Sequence, residues 1–263
     1  MRRLDRGVAS GFLLTVALAC AVVGGVVLGV LVYLVRGVPT VQHVDNSVAR
    51  WGFAHRTSLS TSGLRAITQL GSIQVVVGLA LALVALDVYR TRSRWSLPFL
   101  VAVLGGMEIL MLSVKALVGR ARPTLEPAAA SLGPSFPSGH SATAAAFYAA
   151  VALVLGRRLV RRRRQILISL AVALAVAVAA SRVLLDLHWL SDVVGGLSLG
   201  WGWFALCAAL FGGRLLRPTA AADVAAVEAA APPGSARQPA SRAAARPAPR
   251  RSRGVRSTET GTR

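Results

Sequence analysis

The sequence is poor in lysine, in acidic residues and in cysteine. A single lysine, Lys115, stands among 30 basic residues, and only 10 residues are acidic, so the formal net charge is +20. Cys20 and Cys207 both lie in apolar stretches without metal-ligand spacing, which excludes a disulfide framework and a cysteine-rich zinc site. Asp, Glu and His form no cluster with the spacing of metal ligands, and we expect no metal and no cofactor.

Long apolar runs dominate the rest of the chain. The residues are 54% hydrophobic and the mean hydropathy is +0.60, so charged and apolar residues must be segregated along the sequence. A run of about 20 apolar residues is long enough to cross a bilayer as a helix. The sequence therefore predicts an all-α, polytopic bundle of six transmembrane helices, at Val8–Val35, Ile67–Val88, Leu97–Val118, Gly139–Gly156, Ile166–Leu184 and Trp189–Gly213.

The arginines indicate how this bundle is oriented. Fourteen flank the predicted spans on one side, whereas the other side carries seven arginines and Lys115. By the positive-inside rule the richer side is cytoplasmic, and with six spans both termini lie there. The arginines that fix the topology thus account for much of the positive net charge. We expect a multi-pass cell-membrane protein that binds no nucleic acid.

The composition divides the chain into two parts. Residues 1–213 form the predicted transmembrane domain, and residues 214–263 are rich in Ala, Pro and Arg without apolar periodicity. Such a segment is typical of a disordered tail, here on the cytoplasmic side, where anionic lipid headgroups would attract it. On the opposite side, the segment between residues 36 and 65 shows apolar residues at helical spacing, which predicts an interfacial amphipathic helix with Val44, Val48 and Trp51 on its apolar face.

Three polar side chains interrupt the apolar sequence near its carboxyl-terminal end. Arg182, His188 and Asp192 lie between the last two predicted spans, where charged groups are costly and therefore indicate function. On a helix, His188 and Asp192 are one turn apart, so the carboxylate can orient the imidazole and leave its other nitrogen free to attack. The alternative is an ordinary Arg–Asp pair with a histidine at a helix end.

Two earlier clusters carry the same kind of chemistry. Lys115 lies at the outer end of the third span, seven residues before Arg122. Farther on, Ser138, Gly139 and His140 precede the fourth span, where a helix start presents free N–H groups to an anion. A capped helix with an incidental histidine is the alternative, but the predicted topology places all three clusters on one side of the membrane.

The three clusters together resemble the type 2 phosphatidic acid phosphatase and vanadium haloperoxidase superfamily. Its signatures Lys-x6-Arg-Pro, Pro-Ser-Gly-His and Ser-Arg-x5-His-x3-Asp are complete and in order, and the resemblance covers roughly residues 40–212. Members of the haloperoxidase branch are typically soluble, so the six spans favour the membrane phosphatases. Asp186 stands where the family often has a small residue, and neither its role nor that of Glu108 can be assigned from the sequence.

The resemblance implies metal-independent hydrolysis of a lipid phosphate or diphosphate through a phosphohistidine. His188 would be the nucleophile, Asp192 would orient it, and His140 would act as acid and base. The phosphate oxygens would be held by Lys115, Arg122, Arg182 and the backbone near Ser138 and Gly139.

An outward-facing site at the bilayer surface suits a lipid whose phosphate lies at headgroup level. Polyprenyl diphosphate, phosphatidate and phosphatidylglycerol phosphate all fit this description. The alternative function is a lipid-phosphate binding or transport protein that keeps the phosphate pocket without catalysis.

Overall fold

All regular secondary structure in the described part of the chain is α-helix. The computed structural model describes residues 6–123 and 133–215, with side chains from 15 to 123 and from 133 to 211. Within these ranges the helices are α1 (Arg6–Gly37), α2 (Pro39–Ala54), α3 (Ser58–Gln69), α4 (Ile73–Thr91), α5 (Ser96–Val118), α6 (Gly139–Gly156), α7 (Arg161–Leu184) and α8 (Leu190–Leu215). Six of them, α1 and α4 to α8, are long and apolar enough to span a membrane. The predicted all-α fold and the six spans are confirmed, while the tail prediction lies outside the described residues.

Helix α6 lies at the centre of the bundle, where α4, α5, α7 and α8 surround it. Most of its side chains are small and buried, including Ala142, Ala144, Ala145, Ala146 and Ala150. Small residues let helix backbones approach closely, which is how membrane helices pack without a hydrophobic force between them.

The closest approach is between α6 and α8. A Cβ atom added at Gly200 would lie 2.3 Å from the carbonyl oxygen of Ala142, and one at Gly196 would lie 2.5 Å from that of Ser138. Both distances are well below van der Waals contact, so only glycine permits this spacing. The first turns of α6 and α8 are thereby held side by side.

Helix α2 is the amphipathic helix that the sequence predicts between the first two spans. Pro39 stands at its start, where a missing N–H group costs no helical hydrogen bond. The residues that face the protein are Asp45, Ala49 and Gly52, whereas Val44 and Trp51 are exposed. Val48 instead is partly buried and packs against Ala179 and Val183 of α7. Only the Val44 and Trp51 part of the predicted apolar face therefore points away from the bundle, and its contact with lipid stays a prediction.

One predicted boundary was wrong. The second span does not begin at Ile67, because Ile67 belongs to the last turn of α3, and the chain turns between Gln69 and Ile73 before α4 starts. Ile67 and Leu70 both pack against the core of the bundle, which explains why their apolar character resembled a membrane span. Leu70 also accepts a 2.9 Å hydrogen bond from the Tyr148 hydroxyl, so the turn is anchored to α6.

Candidate active site

His188 and Asp192 come together where α8 begins. The Nδ1 atom of His188 lies 3.4 Å from Oδ2 of Asp192, and both side chains are buried. The sequence predicts both residues on one helix, but His188 precedes α8 by two residues, and of the two only Asp192 lies in its first turn. The contact forms because the Trp189 N–H group also donates to Oδ2 of Asp192, at 3.0 Å.

Hydrogen bonding decides which nitrogen of His188 carries the proton. The Nη1 atom of Arg122 lies 3.1 Å from Nε2 of His188, and a guanidinium has only donors, so Nε2 must accept. The proton is then on Nδ1 and faces Asp192. Burial lowers the pKa of His188 to about 4, although the hydrogen bond and charge of Asp192 oppose this shift. At neutral pH the imidazole is uncharged, with a lone pair on Nε2.

Two cations bind the loop that precedes α6. Besides His188, Arg122 donates to the carbonyl oxygens of Leu187 at 2.6 Å and of Gly133 at 2.9 Å. Lys115, in the last turn of α5, donates to that of Pro134 at 3.1 Å. Burial lowers the pKa of Arg122 while Asp192 raises it, and the guanidinium stays charged. The first signature therefore lies directly beside the third.

Arg182 and His140 complete the group of polar side chains at this end of the bundle. Arg182 is buried in the last turn of α7, where its Nη1 atom donates to Thr68 Oγ1 at 3.2 Å. Its Nε atom has no hydrogen-bond partner among the residues that the structure describes. His140, in the first turn of α6, lies close enough to Arg182, His188 and Lys115 to interact electrostatically with each. The predicted site residues of all three signatures are thus brought to one end of the bundle.

The turn before α6 differs in detail from the expected helix cap. Ser138 stands at the N-cap position, but its side chain caps no backbone N–H group and instead accepts a 2.9 Å hydrogen bond from Ser141 Oγ. The Ser138 N–H group donates to the carbonyl oxygen of Asp192 at 3.0 Å. Ser138 thus joins α6 to α8, and within the described ranges the first-turn N–H groups of Gly139, His140 and Ser141 have no backbone acceptor.

Known proteins resemble this chain in sequence and in fold. The PAP2 superfamily model matches residues 95–215. Phosphatidylglycerophosphatase B of Bacillus subtilis (strain 168) is 30% identical over 162 residues, which cover 61% of this chain and 79% of that protein. The chain belongs to the PAP2 superfamily.

Two further relatives agree with this membership. A lipid A 1-phosphatase of Rhizobium etli is 42% identical over 76 residues, which are 29% of this chain and 28% of that protein. The crystal structure of a transmembrane PAP2 type phosphatidylglycerolphosphate phosphatase from Bacillus subtilis superposes with a TM-score of 0.69 at 27% identity, over 73% of this chain and 96% of that one. The chain is therefore a multi-pass membrane enzyme of the PAP2 lipid phosphatase class.

The PAP2 signatures did not reveal a second layer of polar residues around Asp192. Arg120 donates to Asp192 Oδ1 and to Asp45 Oδ2, each at 2.7 Å, and Ser191 contacts both Arg120 and Asp45. Neither Arg120 nor Asp45 is among the site residues predicted from the sequence. The available signal was the position of Arg120 inside the first signature, two residues before Arg122.

The structure accounts for the residue type at position 186, where this PAP2 protein departs from the usual small residue. Asp186 has a φ of 58°, in the left-handed region, and is fully buried. Glycine adopts this conformation freely, and Asp and Asn are the side chains that tolerate it best. Asp186 N–H donates to Val183 at 2.9 Å and ends α7, so the backbone turn explains the choice of residue.

Proposed function

We propose that His188 is the nucleophile of lipid phosphate hydrolysis and that the reaction passes through a phosphohistidine. The observation that supports this proposal most is the tautomer, because a neutral imidazole with Nδ1–H toward Asp192 presents its Nε2 lone pair to a phosphorus atom. In the first step the N–P bond forms and the bond between phosphorus and the lipid oxygen breaks. The resulting imidazolium is stabilised by Asp192.

His140 would move the protons of both steps. It would donate a proton to the departing lipid oxygen, and then accept one from the water that attacks the phosphohistidine. That attack breaks the N–P bond, releases inorganic phosphate and restores neutral His188. The electrostatic proximity of His140 to His188 supports this assignment.

The cations would stabilise the charge on the phosphoryl oxygens. Arg122 contacts His188 directly, so a phosphoryl oxygen bound at Nε2 would meet a guanidinium already in place. The Arg182 Nε–H group has no acceptor in the described part of the chain and could donate to a phosphoryl oxygen, and Lys115 adds a third positive charge. Because the Ser138 N–H group is engaged by Asp192, the Gly139 N–H group is the better backbone donor.

We infer that the substrate is a lipid phosphate presented at the outer surface of the membrane. The arginine asymmetry supports this side, because the site lies at the end of the bundle opposite the Arg161–Arg164 run. Phosphatidylglycerol phosphate is the first candidate, since the B. subtilis relatives are named for it. Phosphatidate and polyprenyl diphosphate are the comparison substrates.

The test is phosphate release from these three lipids by the purified full-length chain in excess chelator. We expect turnover in the presence of chelator and a loss of about 10³-fold or more for His188→Ala. His55→Ala is the control, because His55 is an exposed histidine on the same side that stacks on Trp51 of its own helix end. Near-normal turnover by His188→Ala would exclude it as the nucleophile.

The role of His140 has its own test. An aryl phosphate has a leaving group that needs no proton, so His140→Ala should lose far less activity on an aryl phosphate than on a lipid phosphate. Equal losses on both substrates would contradict the role of His140 as the acid.

The membrane side can be tested with single cysteines in a chain that carries Cys20→Ala and Cys207→Ala. Ser58→Cys lies beside the site end, and Leu159→Cys lies at the opposite end, between α6 and α7. A membrane-impermeant maleimide should label only Ser58→Cys in intact cells. Labelling of Leu159→Cys alone would place the site on the cytoplasmic side.

A further inference from the structure

Asp45 of α2 lies at the end of a continuous set of hydrogen bonds that reaches His188. Its Oδ2 atom accepts from Arg120 Nη2 at 2.7 Å and from Ser191 Oγ at 2.6 Å, and its Oδ1 atom accepts from the Ser191 N–H group at 2.9 Å. Arg120 Nη1 continues the set to Ser191 Oγ and to Asp192 Oδ1, both at 2.7 Å. Asp45 and Asp192 are 2% and 0% exposed, so water cannot replace these contacts.

The two oxygens of Asp192 are divided between different partners. Arg120 occupies Oδ1, which leaves Oδ2 for the Trp189 N–H group and for Nδ1 of His188. A carboxylate bound at one oxygen only could rotate about its side-chain bond. The guanidinium of Arg120 therefore determines the direction in which Asp192 faces His188.

Arg120 in turn needs both carboxylates. It lies between two buried acidic groups, and its fork reaches one with each terminal nitrogen. It also lies over the ring of Trp189, with its Cζ atom 5.5 Å from the ring centre. If Asp45 loses its charge, Arg120 loses one of the two carboxylates that hold it in this orientation.

We propose that Asp45 is a positioning residue for the nucleophile, acting on His188 through Arg120 and Asp192. The inference depends on the proposed role of His188. Asp45 lies outside residues 95–215, the part matched by the PAP2 superfamily model, so α2 adds this element to the site.

The first test is Asp45→Asn. In the wild type, both carboxylate oxygens of Asp45 accept hydrogen bonds. In the variant one of these oxygens is replaced by an NH₂ group, which can only donate and therefore faces another donor in either orientation of the amide. We expect kcat to fall about 10- to 100-fold, as for a small displacement of a reacting group, with KM within about threefold of normal. Asn46→Ala, an exposed neighbour on α2, is the matched control and should keep normal kcat.

The second test uses charge compensation. Arg120→Gln removes the cation that Asp45 and Asp192 share and leaves two buried negative charges. Combining it with Asp45→Asn returns the net charge of these three positions to the wild-type value of −1. The double variant should therefore turn over about tenfold faster than Arg120→Gln alone. If Asp45 acted independently, the double variant would instead be slower than Arg120→Gln by the factor that Asp45→Asn causes in the wild type.

Folding is followed by gel filtration and thermal melting of each variant. If Asp45→Asn does not fold, Asp45→Glu keeps the charge, moves the carboxylate by one methylene group, and should lower kcat in the same direction. A wild-type kcat in the folded variant, or a rise in KM at unchanged kcat, would overturn the inference while His188→Ala stays inactive. Full activity of His188→Ala would instead reject the proposed function, whatever Asp45 does.

Discussion

Gly200→Ala tests whether the spacing between α6 and α8 governs the site. The added Cβ atom would lie 2.3 Å from the Ala142 carbonyl oxygen and 2.8 Å from the Ala145 Cβ atom, whereas ordinary contacts begin near 3.4 Å. The helices must therefore separate by about 1 Å, since both obstacles belong to backbone or to a side chain without rotamers. Asp192 lies two helical turns away on α8, and it would move relative to Ser138 and His140.

The magnitude follows from two opposing terms. Overpacking costs about 1–3 kcal/mol, and a backbone obstacle places this site at the upper end, while alanine in place of glycine favours the helix by about 1 kcal/mol. The net destabilisation is about 2 kcal/mol, which corresponds to a melting temperature lower by about 4–8 °C. We also expect kcat to fall about tenfold or more, because His188, the proposed nucleophile, is displaced from the groups of α6.

The assay is thermal unfolding in detergent combined with phosphate release below the melting temperature. Gly105→Ala on α5 is the control, because its Cβ atom would have no neighbour within 4 Å and the variant should be as stable as the wild type or more so. Unchanged stability and kcat in Gly200→Ala would refute the argument that glycine sets the distance between these helices.

Three further predictions concern other parts of the molecule. Thr68→Val removes the hydroxyl that accepts from Arg182, so kcat/KM should fall about tenfold while Thr68→Ser restores it, as steady-state kinetics would show. The pKa of His188 is about 4 in the folded chain and about 6.5 when unfolded, so the unfolded state takes up the proton first. Stability should therefore fall by about 3 kcal/mol between pH 6.5 and pH 4, relative to His188→Asn, in melting curves recorded across this range. A pH-independent difference would show that the imidazole is not buried in neutral form. Deleting the residues after Pro218 should leave turnover in detergent within about twofold of normal, and a larger loss would show that the tail contributes to the site.

The spans and the signatures could be predicted because both are local properties. Apolar runs such as Gly139–Gly156 are long enough to cross a bilayer whatever surrounds them, and this run agrees with the observed helix at both ends. The separation of four residues between His188 and Asp192 allowed their contact to be predicted, even though the helix begins only at Leu190.

The role of Asp45 could not be predicted, because α2 is amphipathic and its polar residues all have the same local pattern. Asp45 is buried while Asn46 and Arg50 are exposed, and no property of the three positions in sequence separates them. The difference is Arg120, a partner 75 residues away that contacts Asp45 only after α2 packs against α8.

The sequence by itself determined that the chain carries six membrane-spanning segments and the three PAP2 signatures, because hydrophobic length and residue identity do not depend on distant contacts. Tertiary structure alone decided which way Asp192 points, which N–H group of the Pro-Ser-Gly-His turn donates to α8, and which polar residue of α2 reaches the site. These outcomes depend on distances of a few ångströms between helices, which glycines such as Gly196 and Gly200 set only when α6 and α8 meet.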